Sequence, residues 1–172
     1  MTRRRGLIVA AVATLAIFIV LFVLDGRMTD AGGPGIVGFE VAGSQDRATE
    51  ILGEWGDQGI DAARASLWID YAYIVAYTTL LFLAARATRD LAEARRWRRM
   101  AAFGAVAPWL AVAGGAFDAV EDLGLLLALD RHGGDAAPRL AQICASFKFA
   151  LLAVTTIYLL VGLVLRLRAR TA

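Results

Sequence analysis

The chain has 172 residues, of which 59% are hydrophobic and 20% charged, with 18 basic against 16 acidic side chains. Its mean hydropathy of +0.60 is too high for an ordinary soluble domain of this length and is typical of a membrane protein. Cysteine and histidine occur once each, as Cys144 and His132, which excludes an internal disulfide and a histidine pair for zinc or haem. We therefore expect no cofactor and no resident metal centre.

Four apolar runs reach the length of about 20 residues that a helix needs to cross a bilayer. None of them shows the period-two alternation of a membrane β-barrel, so we predict helices. The spans are expected at residues 6–24, 66–86, 101–129 and 143–165. The sequence thus predicts an all-α protein, an integral membrane four-helix bundle that forms a single domain over residues 1–172.

Arginines are concentrated on one predicted side of the membrane. The N-terminal tail, the 86–100 loop and the C-terminal tail together carry twelve arginines and only two acidic residues. By the positive-inside rule these segments are cytoplasmic, and residues 25–65 are extracytoplasmic. Orientation and anionic lipid headgroups explain these arginines, so we expect no nucleic-acid partner. We predict a multi-pass protein of the bacterial cytoplasmic (inner) membrane with both termini in the cytoplasm.

The extracytoplasmic segment contains one amphipathic stretch. After the turn-forming run DAGGPGIVG, Ser44 is a candidate helix N-cap and Gly56 a candidate stop. Between them, apolar residues recur at i, i+3, i+4 and i+7, namely Ala48, Ile51, Leu52 and Trp55. This spacing predicts a short amphipathic helix between spans 1 and 2. It either lies on the outer leaflet or caps the bundle, as a packing lid or as a lid that handles substrate.

The third span carries carboxylates inside its apolar run. Three acidic and three small residues share one helical face, namely Ala111, Gly114, Gly115, Asp118, Glu121 and Asp122. Small residues let a neighbouring helix approach closely, which predicts that this face points into the bundle. Ionisable residues within a membrane are costly and mark functional sites by default.

Two other spans offer polar side chains at similar depth in the outer half of the bundle. Together with the carboxylates they form our candidate ligand-binding set, namely Asp70, Tyr73, Tyr77, Asp118, Glu121, Asp122 and Lys148. Four carboxylates against one ammonium would carry a charge of −3 if all were ionised. At least one carboxylate should then be protonated or neutralised by a bound cation. Alternatively, Arg64, Arg131 or Arg139 folds in from a loop and supplies the missing charge.

Several stretches carry a resemblance to known sequences. They are GGPGIVGFEVAGSQDRATEILGEWG before span two, LWIDYAYIVAY within it, DAVEDL in span three and SFKFALL in span four. Through these features, which are spread from residue 32 to residue 152, the protein resembles a loose set of uncharacterised bacterial four-helix inner-membrane proteins. The resemblance implies the topology but carries no activity and no catalytic residue.

Three functions remain open from the sequence. The first is binding of a small amphipathic molecule or lipid, or of a cation or proton, in an outward-facing polar pocket. The second is a structural or accessory subunit of a homo-oligomer or larger membrane complex, whose buried charge pairs fix helix assembly. The third is a lipid-modifying membrane enzyme with Asp70 or Glu121 as acid or base. The chain lacks a serine elbow and metal-ligand spacing, which favours a protein without enzymatic activity.

Overall fold

The computed structural model describes residues 3–30 and 32–171, with side chains to residue 168. The described residues contain no strand and form six helices, namely α1 (Arg3–Asp30), α2 (Ile36–Glu40), α3 (Gln45–Ala94), α4 (Arg98–Phe103), α5 (Ala107–Leu129) and α6 (Ala136–Thr171). Four stretches are long and apolar enough to cross a membrane, namely α1, α3, α4 with α5, and α6. The predicted all-α class is thereby confirmed for the described residues. The side chain of Arg170, part of the basic C-terminal tail, lies outside them.

The helices extend beyond the predicted spans. α3 continues to Ala94, so most of the predicted 86–100 loop is helical and only residues 95–97 join α3 to α4. The reason is helix propensity, because the stretch RATRDLAEA is rich in alanine, arginine, leucine and glutamate whatever its hydropathy. A turn at 104–106 divides the third predicted span, and Pro108 stands in the first turn of α5, where its missing N–H is tolerated.

The predicted amphipathic stretch forms the first part of α3. The Ser44 hydroxyl accepts a hydrogen bond of 3.3 Å from the Arg47 backbone N–H, which confirms the N-cap. All four residues of the apolar stripe are buried. Gly56 has φ 58° and ψ −173°, a conformation open almost only to glycine, and it separates two helical parts of α3. The predicted stop at Gly56 is therefore confirmed, and a second helical part begins directly after this kink.

The apolar face of this stretch packs against α2 and against the ends of α1, α5 and α6. The rings of Phe39 and Trp55 lie 5.1 Å apart between centroids, and the Trp55 indole N–H donates to the Pro34 carbonyl at 2.6 Å. Buried residues of α1, α5 and α6 complete this core, among them Leu24, Met28, Leu125, Leu129 and Ala137. We call this end of the molecule the capped end.

The long helices pack in the order α1, α3, α5, α6. α1 lies along α3, while α5 contacts both α3 and α6. The small residues of α5 allow these contacts, because a Cβ at Gly115 would collide with the Thr78 hydroxyl of α3, and one at Gly114 would lie 3.0 Å from Leu152 of α6. The predicted inward direction of this face is confirmed. Within the described residues α1 and α6 share no extended interface, so a gap remains between them.

Candidate ligand-binding site

Lys148 of α6 is buried among carboxylates at the capped end. Its Nζ lies 2.9 Å from Asp118 Oδ1 and 2.9 Å from Glu121 Oε1. A third carboxylate, that of Glu40 at the end of α2, lies 3.5 Å away. Lys148, Asp118 and Glu121 are 6%, 4% and 0% exposed, so these ion pairs are shielded from bulk water. Lys148 thus joins α2, α5 and α6.

Three aspartates form a second group beside the lysine. One carboxylate oxygen each from Asp70, Asp118 and Asp122 lies within 4.8 Å of the other two, and we call this group the aspartate triad. The Tyr77 hydroxyl donates to Asp118 Oδ2 at 2.7 Å. Asp122 is 3% exposed, and its Oδ2 has no hydrogen-bond partner among the described residues. A buried polar atom without a partner is costly, so the triad has unused capacity to bind a ligand.

The cluster carries a large excess of acidic groups. Five carboxyl groups surround one ammonium, giving a formal charge of −4 when all are ionised (Glu40, Asp70, Asp118, Glu121, Asp122 and Lys148). Two of the loop arginines considered as counter-charges pair elsewhere. The Arg64 guanidinium donates to Asp130 at 2.7 Å, a hydrogen bond that lowers the pKa of that carboxyl, and Arg139 lies 3.9 Å from Asp135. Arg131 is exposed.

Glu40 is the cluster residue that sequence reasoning missed. It ends the five-residue α2, which begins inside the run DAGGPGIVG, where the glycines and proline predicted only turns. A helix of little more than one turn is too short to show an apolar period. One signal was present, because Glu40 is the lone acid in the run GIVGFEVAG, and an acid buried with such neighbours needs a partner.

A cavity of about 590 Å³ opens next to the cluster. Its polar end is lined by Glu40, Ser66, Asp70, Tyr73, Tyr77, Asp118, Asp122 and Lys148. Its remaining walls are mainly apolar and include Phe18, Leu21, Phe22, Leu80, Leu81, Phe149 and Leu152. Along α3 the lining runs from Ser66 to Leu81, about 22 Å at 1.5 Å per residue. The cavity is therefore amphipathic along its length, polar near the capped end and apolar towards the middle of the helices.

The cavity occupies the gap between α1 and α6. Phe18 and Phe22 of α1 form one wall, and Phe149 of α6 forms part of the opposite one. The Phe18 ring contacts the Tyr73 ring at 6.3 Å between centroids, which continues the aromatic wall onto α3. Because the described parts of α1 and α6 share no extended interface, the cavity reaches the exterior of the packed helices between them.

The structure brings all seven predicted site residues into one cluster, although not all of them line the cavity. Six of them line the cavity, namely Asp70, Tyr73, Tyr77, Asp118, Asp122 and Lys148. Glu121 lies behind Lys148, where it accepts the lysine hydrogen bond with Oε1, and its buried Oε2 has no partner among the described residues.

Chemically, the arrangement is suited to holding positive charge. Carboxylate oxygens form short, strong hydrogen bonds with ammonium groups and are the ligands that hard cations prefer. His132 lies in the exposed turn after α5, away from this cluster, and Cys144 is buried in α6.

No protein-family model, curated protein or solved structure matches the chain.

Proposed function

We propose that this protein binds a small amphipathic ligand of the lipid class in the cavity between α1 and α6. The observation that carries the proposal is the cavity itself, which is polar at one end, apolar along the rest and open to the helix exterior. Burial of an apolar chain against Phe18, Leu81 and Leu152 would contribute about 25 cal/mol per Å². The polar end would then select the head group.

The proposed setting is a four-helix bundle in a bacterial inner membrane, with both termini and the α3–α4 connection in the cytoplasm. The arginine distribution supports this orientation. So does the ion pair between Arg3 and Asp90, because it joins the basic N-terminal tail to the basic end of α3. The capped end would then be extracytoplasmic, and a bound head group would lie in the outer half of the membrane. The resemblance to bacterial four-helix inner-membrane proteins implies the same topology.

Native mass spectrometry of the full chain, extracted from its own membrane in a mild detergent, tests the proposal. We expect adducts of lipid-class mass on the wild-type protein. Leu81→Trp, which fills the apolar part of the cavity, should remove them. Leu123→Trp places the same indole on an exposed position of α5 outside the cavity lining and should retain them. A wild type without adducts, or equal adducts on both variants, would contradict the proposal.

A second function is favoured by a different observation. Lys148 joins three helices through carboxylates at 2.9, 2.9 and 3.5 Å, an arrangement that also suits a subunit whose buried charges fix helix assembly. The third hypothesis, a lipid-modifying enzyme, has weaker support. Of its two acid–base candidates, Asp70 lines the cavity, whereas Glu121 is fully buried behind Lys148.

A further inference from the structure

The aspartate triad lies at the polar end of the cavity, where a head group would be held. We propose that Asp70, Asp118 and Asp122 form a subsite for positive charge, supplied either by the ammonium head of an amphipathic ligand or by a hard inorganic cation. This inference rests on the proposed function, because it names the charge of the ligand that the cavity accepts.

The spacing of the triad fits a single cation. Its three oxygens lie within 4.8 Å of one another. A point equidistant from three atoms at that spacing lies about 2.8 Å from each, the length of a charge-assisted N⁺–H···O⁻ hydrogen bond. Calcium–oxygen bonds are slightly shorter, at about 2.3–2.6 Å, and a small inward movement of the carboxylates would accommodate them. Since Asp70 comes from α3 and the other two from α5, the subsite also bridges two helices.

An unpartnered oxygen points to a ligand independently of this spacing. Asp122 is 3% exposed and lines the cavity, yet its Oδ2 has no hydrogen-bond partner among the described residues. By contrast, both oxygens of Asp118 are used, one by Lys148 and the other by Tyr77. A cation in the cavity beside Asp122 would satisfy the free oxygen at the position where the structure leaves it without a partner.

Lys148 does not fill this role. An ammonium group has three N–H donors, and three carboxylates already lie within 3.5 Å of its Nζ, those of Asp118, Glu121 and Glu40. Asp70 and Asp122 have no ion-pair partner within 4.0 Å in the described part of the chain. The carboxyl groups in excess of the lysine therefore lie on the side that faces the cavity.

The apolar part of the cavity limits what an organic cation could look like. Leu80 and Leu81 of α3 and Leu152 of α6 continue the lining from the triad towards the middle of the helices. A primary amine with one long alkyl chain would place its nitrogen among the aspartates and its chain along these residues. An alcohol with the same chain would fit the apolar part equally well but would leave the carboxylates without a counter-charge.

Thermal unfolding of the purified full chain in a mild detergent, near neutral pH, tests the subsite. The probes are dodecylamine, dodecanol, calcium chloride and magnesium chloride. We expect the amine to raise the Tm more than the alcohol does, and Asp122→Asn to weaken its apparent Kd about tenfold or more, as loss of a hydrogen bond to a charged group does. Asp70→Asn repeats the test at the half-buried member of the triad. Asp57→Asn removes an exposed carboxylate outside the cavity and should bind as the wild type does.

The outcomes distinguish the two possible sources of positive charge. They also distinguish failure of the subsite from failure of the proposed function. If calcium or magnesium alone raises the Tm of the wild type but not of Asp122→Asn, the subsite takes an inorganic cation. If only dodecylamine raises the Tm of the wild type but not of Asp122→Asn, the positive charge is supplied by the head group of an amphipathic ligand. Equal binding of amine and alcohol, sensitive to Leu81→Trp but not to Asp122→Asn and without a metal effect, would overturn the cation subsite and leave the proposed function standing. Failure of all four probes would overturn the subsite and count against the proposed function as well.

Discussion

Burying a lysine amine among packed helices costs several kcal/mol unless carboxylates and hydrogen bonds compensate. Lys148 is 6% exposed and has three carboxylate neighbours within 3.5 Å. If one of these acids is neutralised, the amine keeps two partners. If the amine is removed, the acids face one another without compensation. At the scale of single residues, the network should therefore tolerate the loss of an acid better than the loss of the lysine.

Lys148→Met is expected to destabilise the protein by about 3–5 kcal/mol, as does removal of one partner from a buried ion pair. Asp118→Asn should cost less, and the double variant should be more stable than Lys148→Met alone, because fewer carboxylates then remain without compensation. Unfolding in mixed micelles, followed by circular dichroism, measures all three variants. A Lys148→Met protein as stable as the wild type would contradict this expectation.

The same variants distinguish two roles of the charged cluster, ligand binding and helix assembly. If the double variant recovers wild-type stability and retains the lipid-class adducts, the cluster serves helix assembly and not the ligand. If each single variant folds but loses the adducts, the role in assembly is weakened. Asp57→Asn, an exposed substitution outside the cavity, provides the baseline for both readouts.

Among the helices, α2 and the start of α3 show which structural features a sequence pattern can predict. The N-cap and the apolar stripe were predictable, because helix periodicity and capping chemistry are local properties. The inward face of α5 was predictable for the same reason, since a rotation of 100° per residue fixes which side chains lie together. Glu40 was not, because its place in the lysine network depends on how the short α2 folds against α5 and α6. Tertiary contacts of this kind leave no periodic trace in a sequence.

The kink at Gly56 sets how the amphipathic part of α3 turns onto the capped end. Gly56→Ala is expected to destabilise the protein by about 1–3 kcal/mol, because φ 58° with ψ −173° is strained for any residue with a Cβ. Gly53→Ala is the matched control in the preceding turn, where an added Cβ has no atom within 4 Å. In that helical position alanine should stabilise by about 0.5–1 kcal/mol. Equal effects of the two substitutions on the Tm would show that Gly56 carries no backbone strain.

For the whole molecule, the separation of charge between the two ends is the dominant feature. The acidic cluster lies near the capped end, whereas the arginines that follow α3 lie at the opposite end, where Arg3 pairs with Asp90. The cavity in the gap between α1 and α6 has the same polarity, because the cavity walls become apolar with distance from the cluster. An amphipathic molecule in a membrane leaflet has the same gradient from head to tail. A ligand could therefore move from the bilayer into the cavity without reversing its orientation.

A ligand enters from the outer leaflet only if the capped end is extracytoplasmic, and cysteine labelling can test this orientation. In a Cys144→Ala background, Gln58→Cys introduces an exposed thiol near the capped end, and Ala94→Cys introduces one at the far end of α3. Because positively charged segments remain in the cytoplasm, a membrane-impermeant maleimide should label Gln58→Cys in intact spheroplasts and Ala94→Cys only after lysis. The background protein, without a thiol, should stay unlabelled throughout. The reverse pattern would place the aspartate triad in the cytoplasmic half, and the ligand would then have to come from the inner leaflet.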